Sequence, residues 1–146
     1  MNITNKTVLI TGANRGIGRA LLDEALRRGA KKVYSGTRNA LQHLDKHVTP
    51  LTLDVTSASQ IRQAVDEVET LDVLINNAGI VIYDDLSNLD LLEQHLAVNF
   101  LGLLKVTQAF LPLLQRGHPS ATCPWRGSLP CPSFPPTPFR RPPRSI

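Results

Sequence analysis

Short apolar runs alternate with stretches of helical spacing over residues 1–116. The run KTVLIT (6–11) is β-branched and apolar and stops at a glycine, as a strand buried on both faces does. GIGRALLDEALRRG (16–29) then sets Ile17, Leu21, Leu22, Ala25 and Leu26 at helical spacing, with Gly29 as the stop. KKVYSGT (31–37) reads as a second strand and PLTLDV (50–55) as a third. Thr56 or Ser57 can cap the next helix, over about 57–69, whose Ile61, Ala64, Val65 and Val68 share one face. LDVLIN (71–76) is a fourth strand, and 89–115 reads as one long helix, apolar nearly all round. Strands alternating with helices demand right-handed crossovers and a parallel sheet covered on both faces. The expected fold is α/β, a doubly wound parallel sheet of about four strands. One face of the 89–115 helix can cover the sheet, so its other face is expected to meet more protein, such as a second subunit.

Composition changes this picture only after residue 116. Residues 1–116 balance twelve Lys or Arg against twelve Asp or Glu, and the net charge of +4 comes from Arg126, Arg140, Arg141 and Arg144. No basic cluster marks a folded face, which argues against a nucleic-acid partner. Nine of the eleven prolines and both cysteines, Cys123 and Cys131, also lie beyond residue 116. There is no CxxC, and no metal site is expected. The start MNITNKTVLITG lacks a charged region followed by a long apolar run, so it does not read as a signal peptide. No stretch reads as apolar for the ~18 residues of a membrane span. The expectation is a soluble, cytoplasmic protein with one domain over 1–116 and a disordered Pro- and Arg-rich tail over 117–146.

Candidate chemistry begins between the first strand and the first helix, at TGANRGIG (11–18). Gly12 permits a tight turn, Gly16 lets backbone approach a phosphate closely, and Gly18 lets the helix pack near the strand. The helix N-terminus then offers free N–H groups and a partial positive charge to a pyrophosphate. A purely structural turn is the alternative, since tight turns need glycine anyway. The spacing is Gly-x-x-x-Gly-x-Gly, and it is joined by LDV at 53–55, NNAG at 76–79 and VN at 98–99. In this order the motifs resemble the short-chain dehydrogenase/reductase family, over residues 1 to about 116.

The resemblance implies a Rossmann-like fold, a nicotinamide cofactor and hydride transfer to or from a small-molecule carbonyl or alcohol. It implies that Gly12, Asn14, Arg15, Gly16, Ile17 and Gly18 line the pyrophosphate and adjacent ribose. Asp54 and Val55 would hold the adenine, with Asp54 accepting from its exocyclic amine. Asn77, Ala78 and Gly79 would pass behind the ribose and nicotinamide. Asn99 would open the long helix locally and hold a water that relays protons to the catalytic lysine. From the residues alone, Asp54 can equally be a loop-side cap, Asn76–Gly79 a polar turn and Asn99 a buried structural amide. The end of the second strand bears on cofactor choice. A site specific for NAD usually carries an acid there, whereas this chain has Thr37 followed by Arg38, with Arg15 in the glycine turn. Two guanidinium groups suit a 2′-phosphate, so NADP is favoured over NAD. The parent protein is expected to be a homo-oligomer through the 89–115 helix.

The family's chemistry needs a Ser and a Tyr-x-x-x-Lys, in which Tyr donates a proton and Lys lowers its pKa. This chain has only Tyr34 and Tyr83, and no lysine after Lys105. As written it lacks the donor, and the fifth and sixth strands that the resemblance implies are missing as well. The alternative to an oxidoreductase is a non-catalytic nucleotide-binding or regulatory module whose tail binds a partner. The tail itself reads in three ways: a ligand for an SH3-type groove through the PxxP in FPPTPFR, a disordered natural terminus, or the family's gene read out of frame.

The third reading can be checked against the genetic code. Taking each codon's third base with the next codon's first two, Phe134 to Arg144 can read Ser-Ala-Tyr-Ser-Val-Ser-Lys-Ala-Ala-Ala. Cys123–Pro124 then supplies a Ser thirteen codons before that Tyr. A one-nucleotide deletion near codons 117–118 would produce this. The coding DNA should then show CCT at Pro136, TGT at Cys123, a third-position A at Arg140, and AGA or AGG at Arg141. Sequencing these codons decides the matter: another third base at Pro136, or a CGN codon at Arg141, removes the Tyr or the Lys.

Overall fold

Four short strands carry the chain in one direction through the computed structural model, which describes residues 2–39, 45–82 and 88–117. The expectations for Tyr83 and for the tail from residue 118 onward fall outside the described residues. Strand β1 (Thr7–Thr11) is followed by helix α1 (Gly16–Arg27), β2 (Lys32–Thr37), β3 (Val48–Thr52), α2 (Ala58–Glu67) and β4 (Val73–Ile75). All pairings are parallel, and the order across the sheet is β3-β2-β1-β4. The chain thus winds outward from β1 to β3 and then returns to the other side of β1 to lay down β4. That reversal between β1 and β4 is the topological switch point, whose crevice at the strands' C-terminal ends binds ligands in folds of this kind.

Period-2 alternation in β1 explains the two cores. Val8 and Ile10 face Leu22 and Ala25 of α1, while Leu9 faces Ile61 and Ala64 of α2 together with Val106 and Phe110. All these side chains are buried, so helices cover the sheet on both sides. Ser57 is the residue that caps α2: its side chain accepts from the Gln60 N–H at 3.4 Å. The third strand begins two residues earlier than expected and ends at Thr52; Leu53 adds one more backbone bond, to the Thr37 carbonyl at 2.8 Å. Pro50, which lacks a ladder donor, is accommodated because β3 is an edge strand.

The helix expected over 89–115 is not continuous. It runs as α3 (Leu89–Leu96), a π-helical segment (Ala97–Gly102) and α4 (Leu103–Gly117). The widened turn is held from below, because a Cβ on Gly102 would stand 2.7 Å from Val55 Cγ2. Only glycine allows the turn to rest on that stiff, buried side chain. The outer face stays exposed, with Leu96, Phe100, Leu103 and Leu104 open to solvent. One sequence reading needs correction. Leu89–Arg116 contains an 18-residue window of mean hydropathy 1.5, so length and composition alone would allow this helix to cross a membrane. Its buried Val106 and Phe110, however, make it a layer of the α/β fold.

The contact at the π turn gives a stability test. Gly102→Ala should destabilise the chain by about 1–3 kcal/mol, the usual cost of overpacking. Combined with Val55→Ala, which removes the colliding methyl, the loss should be smaller than the two single losses added. Urea unfolding of the four proteins measures this, and strict additivity would show that the two residues do not press on each other.

Candidate functional site

The site hangs from the C-terminal ends of β1 and β4. Thr11, buried at the end of β1, accepts at Oγ1 from the backbone N–H groups of Asn77 and Ala78, each at 3.0 Å. The same hydroxyl donates to the Ile75 carbonyl at 3.4 Å, which uses its full hydrogen-bonding capacity. Asn77 returns the contact: its Nδ2 donates to the carbonyls of Thr11 at 3.0 Å and Gly12 at 3.2 Å. The turns after β1 and β4 are therefore stitched into one unit.

On that unit sit the glycines of the turn. Gly12 takes φ +69° and Gly16 φ +54°, both in the left-handed region. A Cβ on Gly18 would overlap the Gly12 carbonyl oxygen and lie 2.5 Å from Asn77 Nδ2, so α1 starts flush against the turn. No side chain caps α1 and no acid sits in its first turn. Its free N–H groups and positive end remain available to an anion. Asn14, Arg15, Gly16 and Ile17 are exposed, and Ile17 is 75% exposed despite being apolar.

A cleft of about 630 Å³ opens beside this turn. Arg15, Arg38 and Thr56 line it together with Gly79–Ile82 and the helix residues Gln94, Ala97 and Val98. Asp54 lies just behind Thr56. Its Oδ1 accepts from the Thr56 hydroxyl at 2.6 Å and the Thr56 N–H at 2.8 Å, while its own N–H donates to Gln60 Oε1. The Thr56 hydroxyl bond, aided by the Thr56 N–H and the Arg38 charge, outweighs partial burial and holds the Asp54 carboxyl below its usual range. Asp54 is thus an ionised turn cap, the local role the residues alone had allowed, and Val55 is buried against the π turn.

Asn99 and Asn76 both serve as braces. Asn99 Nδ2 donates to the Ile80 carbonyl and its Oδ1 accepts from the Ile80 N–H, both at 2.8 Å. Its side chain therefore holds the segment after Gly79. Asn76 Nδ2 donates to Thr107 Oγ1 at 3.0 Å, and that hydroxyl donates to the Leu103 carbonyl. Tyr34 is sealed in the core with Lys32 Nζ 4.6 Å from its ring centroid, out of reach of the cleft. Among the described residues, no group of three or more His, Cys, Asp or Glu is placed to hold a metal. Sequence reasoning missed Thr11, Gln60, His95 and Thr107. Thr11 carried a usable signal, as the one polar residue closing an apolar run before the first glycine. His95 carried a weaker one, as an imidazole four residues before Asn99 in an apolar helix.

Comparison with known proteins agrees with this geometry. The family model for short chain dehydrogenases matches residues 6–121. Short chain dehydrogenase tazN of Aspergillus terreus is 35% identical over 131 residues, covering 78% of this chain and 29% of that protein. Human retinol dehydrogenase 13 is 33% identical over 132 residues, covering 81% of this chain and 40% of that protein. The chain thus spans less than half the length of these curated relatives. A short chain dehydrogenase from Burkholderia cenocepacia, solved in complex with NADP, matches with a TM-score of 0.76 at 33% identity, over 80% of this chain and 52% of that one. The putative carbonyl reductase Sniffer of Caenorhabditis elegans matches with a TM-score of 0.69 at 28% identity, over 77% of this chain and 54% of that one. Sequence match and backbone agree from the first strand through the last helix: the chain belongs to the short-chain dehydrogenase family.

Proposed function

We propose that these residues form the nucleotide-binding part of an NADP-preferring oxidoreductase, which moves a hydride between its cofactor and a small-molecule carbonyl or alcohol. The observation that carries this reading is that Arg15 and Arg38 line one cleft, with Thr37 rather than a carboxylate ending β2. An NAD site ordinarily uses an acid there to accept from the ribose hydroxyls. Two guanidinium groups instead suit the 2′-phosphate, which arginine can grip with parallel hydrogen bonds. The Burkholderia relative solved with NADP supports the same choice.

The remaining residues fit the group. Gly12 and Gly18 keep side chains off the turn, and the uncapped start of α1 can take a pyrophosphate. Ile17 is an apolar surface that a bound nucleotide would cover. Asp54 holds Thr56 through Oδ1, which leaves Oδ2 for the exocyclic amine of adenine. Val55 backs that contact, and Asn77, Ala78 and Gly79 form the wall along the ribose and nicotinamide. When bound, the cofactor supplies or accepts the hydride; the chain's own part is to orient it and exclude water. The exposed apolar face of the 89–115 helix would be covered in the parent by a second subunit.

One observation favours a second reading. These 146 residues hold no Tyr-x-x-x-Lys, and Tyr34 is buried in the core. On their own they would bind nucleotide without turnover, with the Pro-rich 117–146 stretch contacting a partner.

Two measurements test these readings. Arg38→Asp removes a phosphate contact, adds repulsion and supplies an acceptor for a ribose hydroxyl. The preference for NADP over NAD, read from dissociation constants, should fall at least about tenfold, or ~1.4 kcal/mol. An unchanged preference would make Arg38 a solvated loop residue. Carbonyl-dependent NADPH oxidation by the 146-residue chain should be absent, and measurable turnover would reject the non-catalytic reading.

A further inference from the structure

Residues 79–82 wall the cleft, yet they belong to no helix or strand. Two side chains of the neighbouring helix hold them instead. Asn99 bonds both the N–H and the carbonyl of Ile80. His95 Nε2 lies 2.9 Å from the Ile82 N and 3.1 Å from the Ile82 carbonyl oxygen. Between them Val81 turns outward and is 76% exposed. The segment lies tight on the helix, since a Cβ on Gly79 would stand 3.3 Å from Asn99 Oδ1.

The spacing of these contacts follows from geometry. Two residues of extended chain advance about 6.6 Å, and four residues of helix about 6 Å. Residues 95 and 99 can therefore meet residues 82 and 80 in antiparallel register, imitating the edge of a strand with side chains. The two contacts differ in one respect. The Asn99 amide has separate donor and acceptor atoms and satisfies both groups of Ile80 at once. His95 presents a single Nε2, so it serves either the N–H or the carbonyl of Ile82 at a time.

We propose that His95 is a positioning residue which, with Asn99, fixes the 79–82 wall at the width the cofactor cleft requires. This rests on the reading of the cleft as a nucleotide site. Without the imidazole, Ile82 keeps no partner from the helix, and the wall beyond Ile80 has to be ordered when the nucleotide binds. The cost of that ordering is taken from affinity.

The test compares His95→Phe, which keeps the ring but removes the nitrogens, with His95→Gln, which offers an amide like that of Asn99. Two readouts on the 146-residue chain are needed: hydrogen exchange of the Ile82 amide without cofactor, and the NADPH dissociation constant by fluorescence titration. Ile82 should be protected in the wild type and the Gln variant and lose protection in the Phe variant, with β1 and β2 amides unchanged. NADPH should bind about three- to tenfold more weakly to the Phe variant, the worth of one hydrogen bond, and the Gln variant should recover most of that loss. If the Phe variant unfolds, seen as lost protection in β1, His95→Ala takes its place. Phe and wild-type proteins binding NADPH equally, or a Gln variant as weak as Phe, would overturn the proposal. If the wild type binds no NADPH while Ile82 protection follows the stated pattern, the brace stands and the nucleotide reading falls.

Discussion

The Thr11 hydroxyl accepts from two backbone N–H groups of the β4 turn and donates to the Ile75 carbonyl, at the point where the strand order reverses. Parallel strands end in unpaired backbone groups, and here two of them sit beside the sheet's core. A fully buried donor left without a partner costs about 1–3 kcal/mol, and these two are half-buried. With Thr11 in place, and Asn77 reaching back to the carbonyls of Thr11 and Gly12, the two turns cannot move independently. The glycine turn, the start of α1 and the wall at Gly79 all take their positions from that junction. Gly18 then becomes obligatory, because α1 begins where any Cβ would strike the junction itself.

The long helix is fixed by a second set of contacts, and its irregularity follows from them. The π segment rests on Val55 through Gly102 and is tied to Ile80 through Asn99. It therefore connects the loop after β3 with the segment after β4, the two sides of the cleft. Single π turns often occur at functional sites, where a widened turn re-aims side chains. Here it brings Ala97 and Val98 to the cleft while Val106 and Phe110 stay locked in the core one turn and more further on.

The elements that the sequence made legible are those with a strong local period. The unbroken apolar run in KTVLIT marks a strand buried on both faces, and the spacing of Leu22 and Ala25 marks the face α1 turns inward; a core lies on each side of β1 accordingly. The third strand was misplaced at its ends. Pro50 looks like a boundary when read locally, but it pairs opposite Ser35 inside an edge strand, and Asp54 pulls the chain away into a turn with Thr56. The opening of the long helix was signalled at Asn99 only through the family resemblance; its apolar period gives no sign of the π segment, which depends on Val55 and Ile80, both distant in sequence. In the site, the glycine turn was legible because each glycine answers a backbone requirement. The bracing role of Asn99 was not, because its partner is a main-chain group that any residue at position 80 would supply.

The central claim is that the nucleotide lies at the switch point between β1 and β4. Amide chemical-shift mapping of the isotope-labelled chain during titration with oxidised NADP tests it most directly. The account predicts shifts concentrated at Gly12–Gly18, Arg38, Thr56 and Gly79–Ile82, which share that end of the sheet. At the opposite end, Asn5, Lys31 and His47 line a separate hollow. Shifts gathered there, or no shifts at saturating cofactor, would contradict the account.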